Sequence, residues 1–245
     1  ISELLSGSVL VDLTALKCLL EMGYGDLLGV SISNVTRKWD EPLAAEEYFN
    51  ADFGGSNNTF LSHSIPHLGG DPEVVHMNLT EGAIVISRLV DPDRNPKYPF
   101  VTLYENRIGG RVAIYPVDME SMLNGIAFLH PYRKCQLSAV LSWLTKENVP
   151  MEVNSESYLL PFRIDFADHI IVGAFNLIQD WQPSISFNIC GLNELPVRIE
   201  QLNEDGVWRE DTSVSVFKNA NGFLVKSECP LAPASLVVFS MHLRR

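Results

Sequence analysis

Acid–base hydrolysis needs two carboxylates facing each other across a cleft, and the sequence offers two neighbouring pairs, Glu46 with Glu47 and Asp91 with Asp93. Acids this close along a loop read as solvated surface rather than as a working acid and base. A second group, Asp52, His63, His67 and Asp71, combines imidazole with carboxylate, the donor types that hold a divalent metal. Pro66 breaks the helix that would aim His63 and His67 at one ion, so the group reads as surface or subunit contact and no metal is assigned. Trp39, on the same irregular stretch, is the tryptophan best placed to stack on a sugar, ahead of Trp181 and Trp208. The candidate ligand contacts are therefore Trp39, Asp52, His63 and His67, with no catalytic residue and no cofactor assigned.

One further stretch bears on chemistry: YENRIGGRV, residues 104–112. A phosphate-cradling loop leads its glycines into a helix, whose free N–H groups meet the anion. Here the β-branched and aromatic run VAIY follows, so Asn106 to Gly110 reads as a hairpin turn. Gly109 or Gly110 should then hold a positive φ, and Arg111 should lie on the face opposite Val112. The sequence contains no G-x-S-x-G elbow, H-E-x-x-H, Walker loop or dinucleotide fingerprint.

The elements that would position these residues fall into three textures. Val9 to Val11 is a short strand, Asp12 an N-cap, Leu13, Leu16 and Leu20 a helical stripe, and Gly23 a left-handed stop. Residues 31–82 read as a long loop with a few short strands. AIVISRLV, PFVTLYE and GRVAIYP read as three strands, and residues 131–147 as a helix with Leu137, Val140, Leu141 and Leu144 on its apolar stripe. Met151 to Ser157 reads as a linker. From Tyr158 onward the alternation in stretches such as SISFNI, with turns at Asp205-Gly206 and Asn221-Gly222, predicts an antiparallel sandwich of about seven or eight strands.

Composition narrows the partners. The 245 residues are 46% hydrophobic and carry a formal net charge of -12, which repels nucleic acid and anionic membrane surfaces. No apolar run approaches the roughly 20 residues of a membrane-spanning helix. Cys18, Cys135, Cys190 and Cys229 form no C-x-x-C pair and read as buried free thiols, with the cytoplasm the favoured setting. ISELLSGSVLVD opens without Met or a basic n-region, so the start reads as a cut inside a fold, with any targeting signal upstream.

Three stretches resemble a known family. SGSVLVDLTALKCLLEMGYGDLLGV is similar to the strand, Asp-started helix and Gly-x-Gly-x-x-x-Gly-Val run late in the glutamine-amidotransferase-like domain of family 42 type β-galactosidases. AIVISRLVDPDRNPKYPFVTLYENRIGGRVAIYP looks like that domain's closing strand pair, and HIIVGAFNLIQDWQPSISFNI with ASLVVFSMHL resembles the same enzymes' small C-terminal β domain. Together these cover about two thirds of the chain, leaving residues 31–82 unmatched.

The resemblance implies an α+β chain. A partial flavodoxin-like (amidotransferase-like) α/β domain occupies 1–150, cut at its N-terminus and carrying a β-rich, irregular insertion at 31–82. An antiparallel β-sandwich occupies 158–245. In that family the catalytic glutamates stand on a (β/α)₈ barrel, which alone needs about 250 residues and cannot fit here. No Gly-x-Cys-x-Gly elbow supplies an amidotransferase nucleophile.

The implied role is a non-catalytic assembly and support region of a glycoside hydrolase. Its partners would be an upstream catalytic domain of the same protein, a second copy of the chain, and carbohydrate. Two other readings stand beside it: a carbohydrate-binding module in 158–245 using Trp181 and Trp208, and a metal-dependent hydrolase using the histidine loop.

Overall fold

Asp12 opens the first long helix as its side chain dictates. In the computed structural model its carboxylate accepts the Ala15 N–H at 2.8 Å, Leu13–Glu21 follow as helix with Leu13 and Leu16 buried, and Gly23 takes a φ of 84° just beyond. The structure describes residues 1–56, 59–61, 73–118, 131–153, 159–192, 194–219 and 222–243. It divides into two units, Ile1–Glu147 and Asn148–Arg245. Strands dominate both, with few helices, an α+β chain.

The described strands of the first unit are β1 (Ser8–Val11), β2 (Val30–Arg37), β3 (Ala45–Tyr48), β4 (Phe60–Leu61), β5 (Glu73–Leu79), β6 (Ile84–Val85), β7 (Ser87–Val90), β8 (Pro96–Pro99), β9 (Thr102–Glu105) and β10 (Arg111–Ile114). One sheet runs β1-β10-β9-β6, its β1–β10 pair parallel. A second runs β4-β3-β7-β8, and β2 and β5 pair with each other. Val112 and Ile114 face a core containing Leu5, Leu13, Leu16 and Met77. Ala113 and Tyr115 face a second core, with Phe100, Val140 and Leu144. The first sheet is thus covered on both faces, as a parallel pair requires.

Three departures from the sequence reading stand out, two from the sharing of short apolar runs between layers and the third from a β-bulge. AIVISRLV is broken at Ile86, sending β6 to one sheet and β7 to the other. PFVTLYE breaks at the same corner: Ile86 N–H donates to Val101 O at 2.9 Å and Phe100 N–H to Ser87 O at 2.9 Å. Ser87 Oγ accepts from Val101 N–H at 3.2 Å. Residues 31–82, read as a long loop with a few short strands, hold all but the first residue of a continuous β2–β5 ribbon from Val30↔Leu79 to Arg37↔Glu73. A bulge between Ile32 and Asn34 flips the alternation midway and hides the strand period.

The helix Pro131–Thr145 buries Arg133, Gln136, Val140 and Leu144, while Leu141 is 41% exposed. Its inward face is therefore rotated from the expected leucine stripe, because Arg133 has a buried partner. All four cysteines are free, but Cys18 and Cys135 lie exposed, not buried as expected. Each occupies a helix position turned away from that helix's buried residues.

The second unit comprises β11 (Met151–Val153), β12 (Leu159–Asp165), β13 (His169–Asn176), β14 (Ile185–Cys190), β15 (Arg198–Leu202), β16 (Trp208–Glu210), β17 (Val214–Lys218), β18 (Gly222–Ser227) and β19 (Leu236–His242). They form two antiparallel sheets, β11-β14-β18-β17 and β12-β13-β19-β15-β16. One core draws on both: Ile185, Phe187 and Val225 from the first, Ile170, Val172 and Phe239 from the second. Phe187 and Phe239 meet edge to face at 6.2 Å. Met151–Val153, expected in a linker, pairs with β14. Three residues are too few to display alternation, so only its partner reveals it as a strand.

Candidate functional site

The first unit holds a buried charge pair, Glu46 with Arg133. Glu46, on the inward side of β3, is fully buried, and Arg133 reaches it from the helix 87 residues later in the chain. Arg133 Nη1 donates to Glu46 Oε1 at 2.9 Å, and Nη2 donates to Oε2, a bidentate fork. Gln136 Oε1 accepts a further bond from Arg133. The guanidinium lies 5.8 Å from the Phe100 ring centre and 5.7 Å from that of Tyr115. Tyr48 Oη, Arg133 Nε and Gln136 Nε2 are buried with no hydrogen-bond partner among the described residues, which makes the cluster costly to bury.

Burial sets the phenols of this cluster. It pushes the Tyr48 hydroxyl up to about 12 and raises that of Tyr115 as well. The folded chain thus holds the Tyr48 proton more tightly than an unfolded chain, whose tyrosine titrates near 10.0. The resulting stability is complete below pH 10.0 and is lost as pH climbs toward about 12. Thermal melts across that range should fall more steeply for the parent than for Tyr48→Phe; parallel curves would show that Tyr48 contributes no such titration.

Glu47 and Asp91 are also structural. Glu47 Oε2 accepts from Arg88 Nε at 2.7 Å. Asp91, buried, accepts the N–H groups of Asp93 at 3.0 Å and Asn95 at 2.8 Å and lies 3.2 Å from Lys97 Nζ. The Asn95 N–H chiefly holds its carboxyl below the usual range. The reading of these pairs as solvated surface is thus corrected for Glu46, Glu47 and Asp91: each has a basic partner that sequence adjacency does not reveal.

The expected ligand contacts do not assemble among the described residues. Trp39 is 69% exposed on a short turn, with Lys38 Nζ 4.5 Å from its ring centre. Asp52 is exposed on the turn Ala51–Phe53, its N–H donating to Asn50 Oδ1. No hydrogen bond or ring contact joins the two. His63, His67 and Asp71 lie outside the described residues. His76 has a built environment instead: it stacks on Tyr98 at 3.9 Å, with Nε2 3.0 Å from Thr36 Oγ1 and 3.4 Å from Glu41 Oε1. Among the described residues no group of three or more His, Cys, Asp or Glu could hold a metal.

The second unit carries two polar assemblies. His169 and His242 face each other across β13 and β19 with ring centres 5.6 Å apart, each against a carboxylate: Asp168 at 2.8 Å and Glu200 at 2.7 Å. On the same sheet, a groove of about 710 Å³ is lined by Trp181, Asn203, Glu204, Asp205, Arg209 and Leu236, among others. The sequence pointed to Trp181 but not to the groove, whose walls come from segments far apart in the chain.

No protein-family model matches the chain, and no curated protein matches it. Solved structures do. Gan42B, a GH42 β-galactosidase from G. stearothermophilus, is matched in its E323A mutant at 11% identity and TM-score 0.43, over 88% of this chain and 24% of that one. The cold-adapted β-galactosidase from Rahnella sp. R3 is matched at 12% identity and TM-score 0.45, over 90% and 25%. An α-L-fucosidase, isoenzyme 2 from Paenibacillus thiaminolyticus, is matched at 10% identity and TM-score 0.48, over 89% and 34%. The chain thus spans about a quarter to a third of these proteins' length, at scores that leave its activity to be argued from its own residues.

Proposed function

We propose that this chain is a non-catalytic assembly and support region of a glycoside hydrolase, working beside a catalytic domain of the same protein. In this reading the first unit is a flavodoxin-like, amidotransferase-like domain and the second a β-sandwich. The observation that carries it is the use of the carboxylates: Glu46, Glu47 and Asp91, three of the four acids paired in the sequence, are committed to Arg133, Arg88 and Lys97. A carboxylate forked by a buried guanidinium has neither access to substrate nor a proton to transfer. The motif resemblance at residues 6–30, 83–116, 169–189 and 234–243 supplies the family. The outer edge of β1, where Leu10 is 40% exposed at the end of its sheet, is the surface a neighbouring domain or second copy would cover.

The test is a hydrolysis assay of the purified 245-residue chain with aryl galactosides and related aryl glycosides. No turnover is expected. Turnover that disappears on changing one of its own exposed carboxylates, such as Asp52→Asn, would overturn the proposal.

A further inference from the structure

We propose that the groove in the second unit binds a neutral oligosaccharide, with Trp181 as the stacking platform and the β15–β16 turn as the hydroxyl-binding bank. Sugars present an apolar C–H face and a rim of hydroxyls, and a site for them needs a flat aromatic surface facing planar polar groups. Trp181 supplies the first: it lines the groove and remains 64% exposed, a large indole left facing solvent. Asn203, Glu204, Asp205 and Arg209 supply the second. Leu236, 52% exposed, and the buried Leu231 and Val237 give the floor its apolar character.

Both banks are held in place before any ligand arrives. Buried Asn176 donates from Nδ2 to Asp180 O at 2.9 Å and to Ala232 O at 3.0 Å, tying the segment before Trp181 to the far wall. Gln182 and Leu231 exchange two backbone hydrogen bonds, at 2.9 and 2.8 Å, fixing the residue after it. On the opposite bank, Asp205 Oδ1 accepts the Val207 N–H at 3.1 Å and Oδ2 holds Arg209, while Asn203 N–H donates to Val207 O at 3.1 Å. Fixing a site in advance removes part of the ordering cost of binding.

Charge selects the ligand class. Arg209 is neutralised by Asp205, which leaves Glu204 as the excess charge of the groove within a chain of net charge -12. Phosphate, nucleic acid and uronate polymers are disfavoured there, whereas an uncharged glycan meets no such penalty. The proposal is independent of the accessory reading, because it is measured as binding and that reading as turnover, so either can fail alone.

The experiment is isothermal titration calorimetry of the intact chain with neutral galacto-, xylo- and gluco-oligosaccharides and with oligogalacturonate. Millimolar or tighter binding of at least one neutral sugar is expected. Trp181→Ala should weaken it about tenfold, the upper range for one aromatic contact, with an unchanged melting temperature because the side chain is exposed. Leu141→Ala, altering an exposed leucine of the other unit, should leave binding unaltered. Absence of binding by every neutral sugar, equal binding in Trp181→Ala, or preference for oligogalacturonate would each overturn the proposal.

Discussion

Glu46→Ala should lower the stability of the first unit by about 3 to 5 kcal/mol, because it strands the buried Arg133 guanidinium without its counter-charge. Arg133→Ala should cost a similar amount by stranding Glu46. Their double variant should cost less than the sum, with a coupling of about 1 to 3 kcal/mol, since once one partner is gone the other has nothing left to lose. Replacing both by apolar residues, Glu46→Leu with Arg133→Met, should recover much of the loss, as desolvating two charges offsets most of what their attraction returns. Urea unfolding of the four variants measures all of this. Additive single losses below about 1 kcal/mol would mean that the fork is not the tie between strand and helix described here.

Gly110→Ala should be the costliest conservative change in the β9–β10 hairpin. A Cβ there would sit 1.9 Å from Leu5 O and 2.8 Å from Gly7 O, both backbone atoms, so the chain itself must move, at about 3 kcal/mol or more. Gly109, with a φ of 86°, is the residue in the left-handed region, yet its Cβ would meet nothing within 4 Å. Gly109→Ala should therefore cost only the conformational strain, about 1 to 2 kcal/mol.

The difference arises because the turn is anchored inward. Asn106 Nδ2 donates to Leu5 O at 2.8 Å and to Leu27 O at 3.2 Å, and its Oδ1 accepts the Gly110 N–H at 2.9 Å. Arg111 turns to the opposite face from Val112, where it lies 4.9 Å from the Trp143 ring centre. Equal losses at the two glycines by chemical denaturation would contradict this close approach.

Where a feature depends on a few neighbouring residues, the sequence alone determined it. Asp12 caps a helix because its carboxylate reaches an N–H three residues on. Residues 106–110 turn because Asn and Gly meet the turn's backbone demands locally. In β14, Ile185, Phe187 and Ile189 are buried while Ser186 and Asn188 between them are not, as the period-two pattern requires.

What the tertiary structure decided are the features whose partners lie far along the chain. Glu46 looks like surface until Arg133 arrives from 87 residues away. β2 is irregular until β5 pairs with it across a bulge. One apolar run at Ile86 divides between two sheets because both its ends find partners. Trp181 becomes part of a groove only because β15, β16 and the segment before β19 close around it. Local propensity acts over a turn or two of chain, whereas burial and ion pairing act over a few ångströms of space, and only the folded chain converts the second distance into the first.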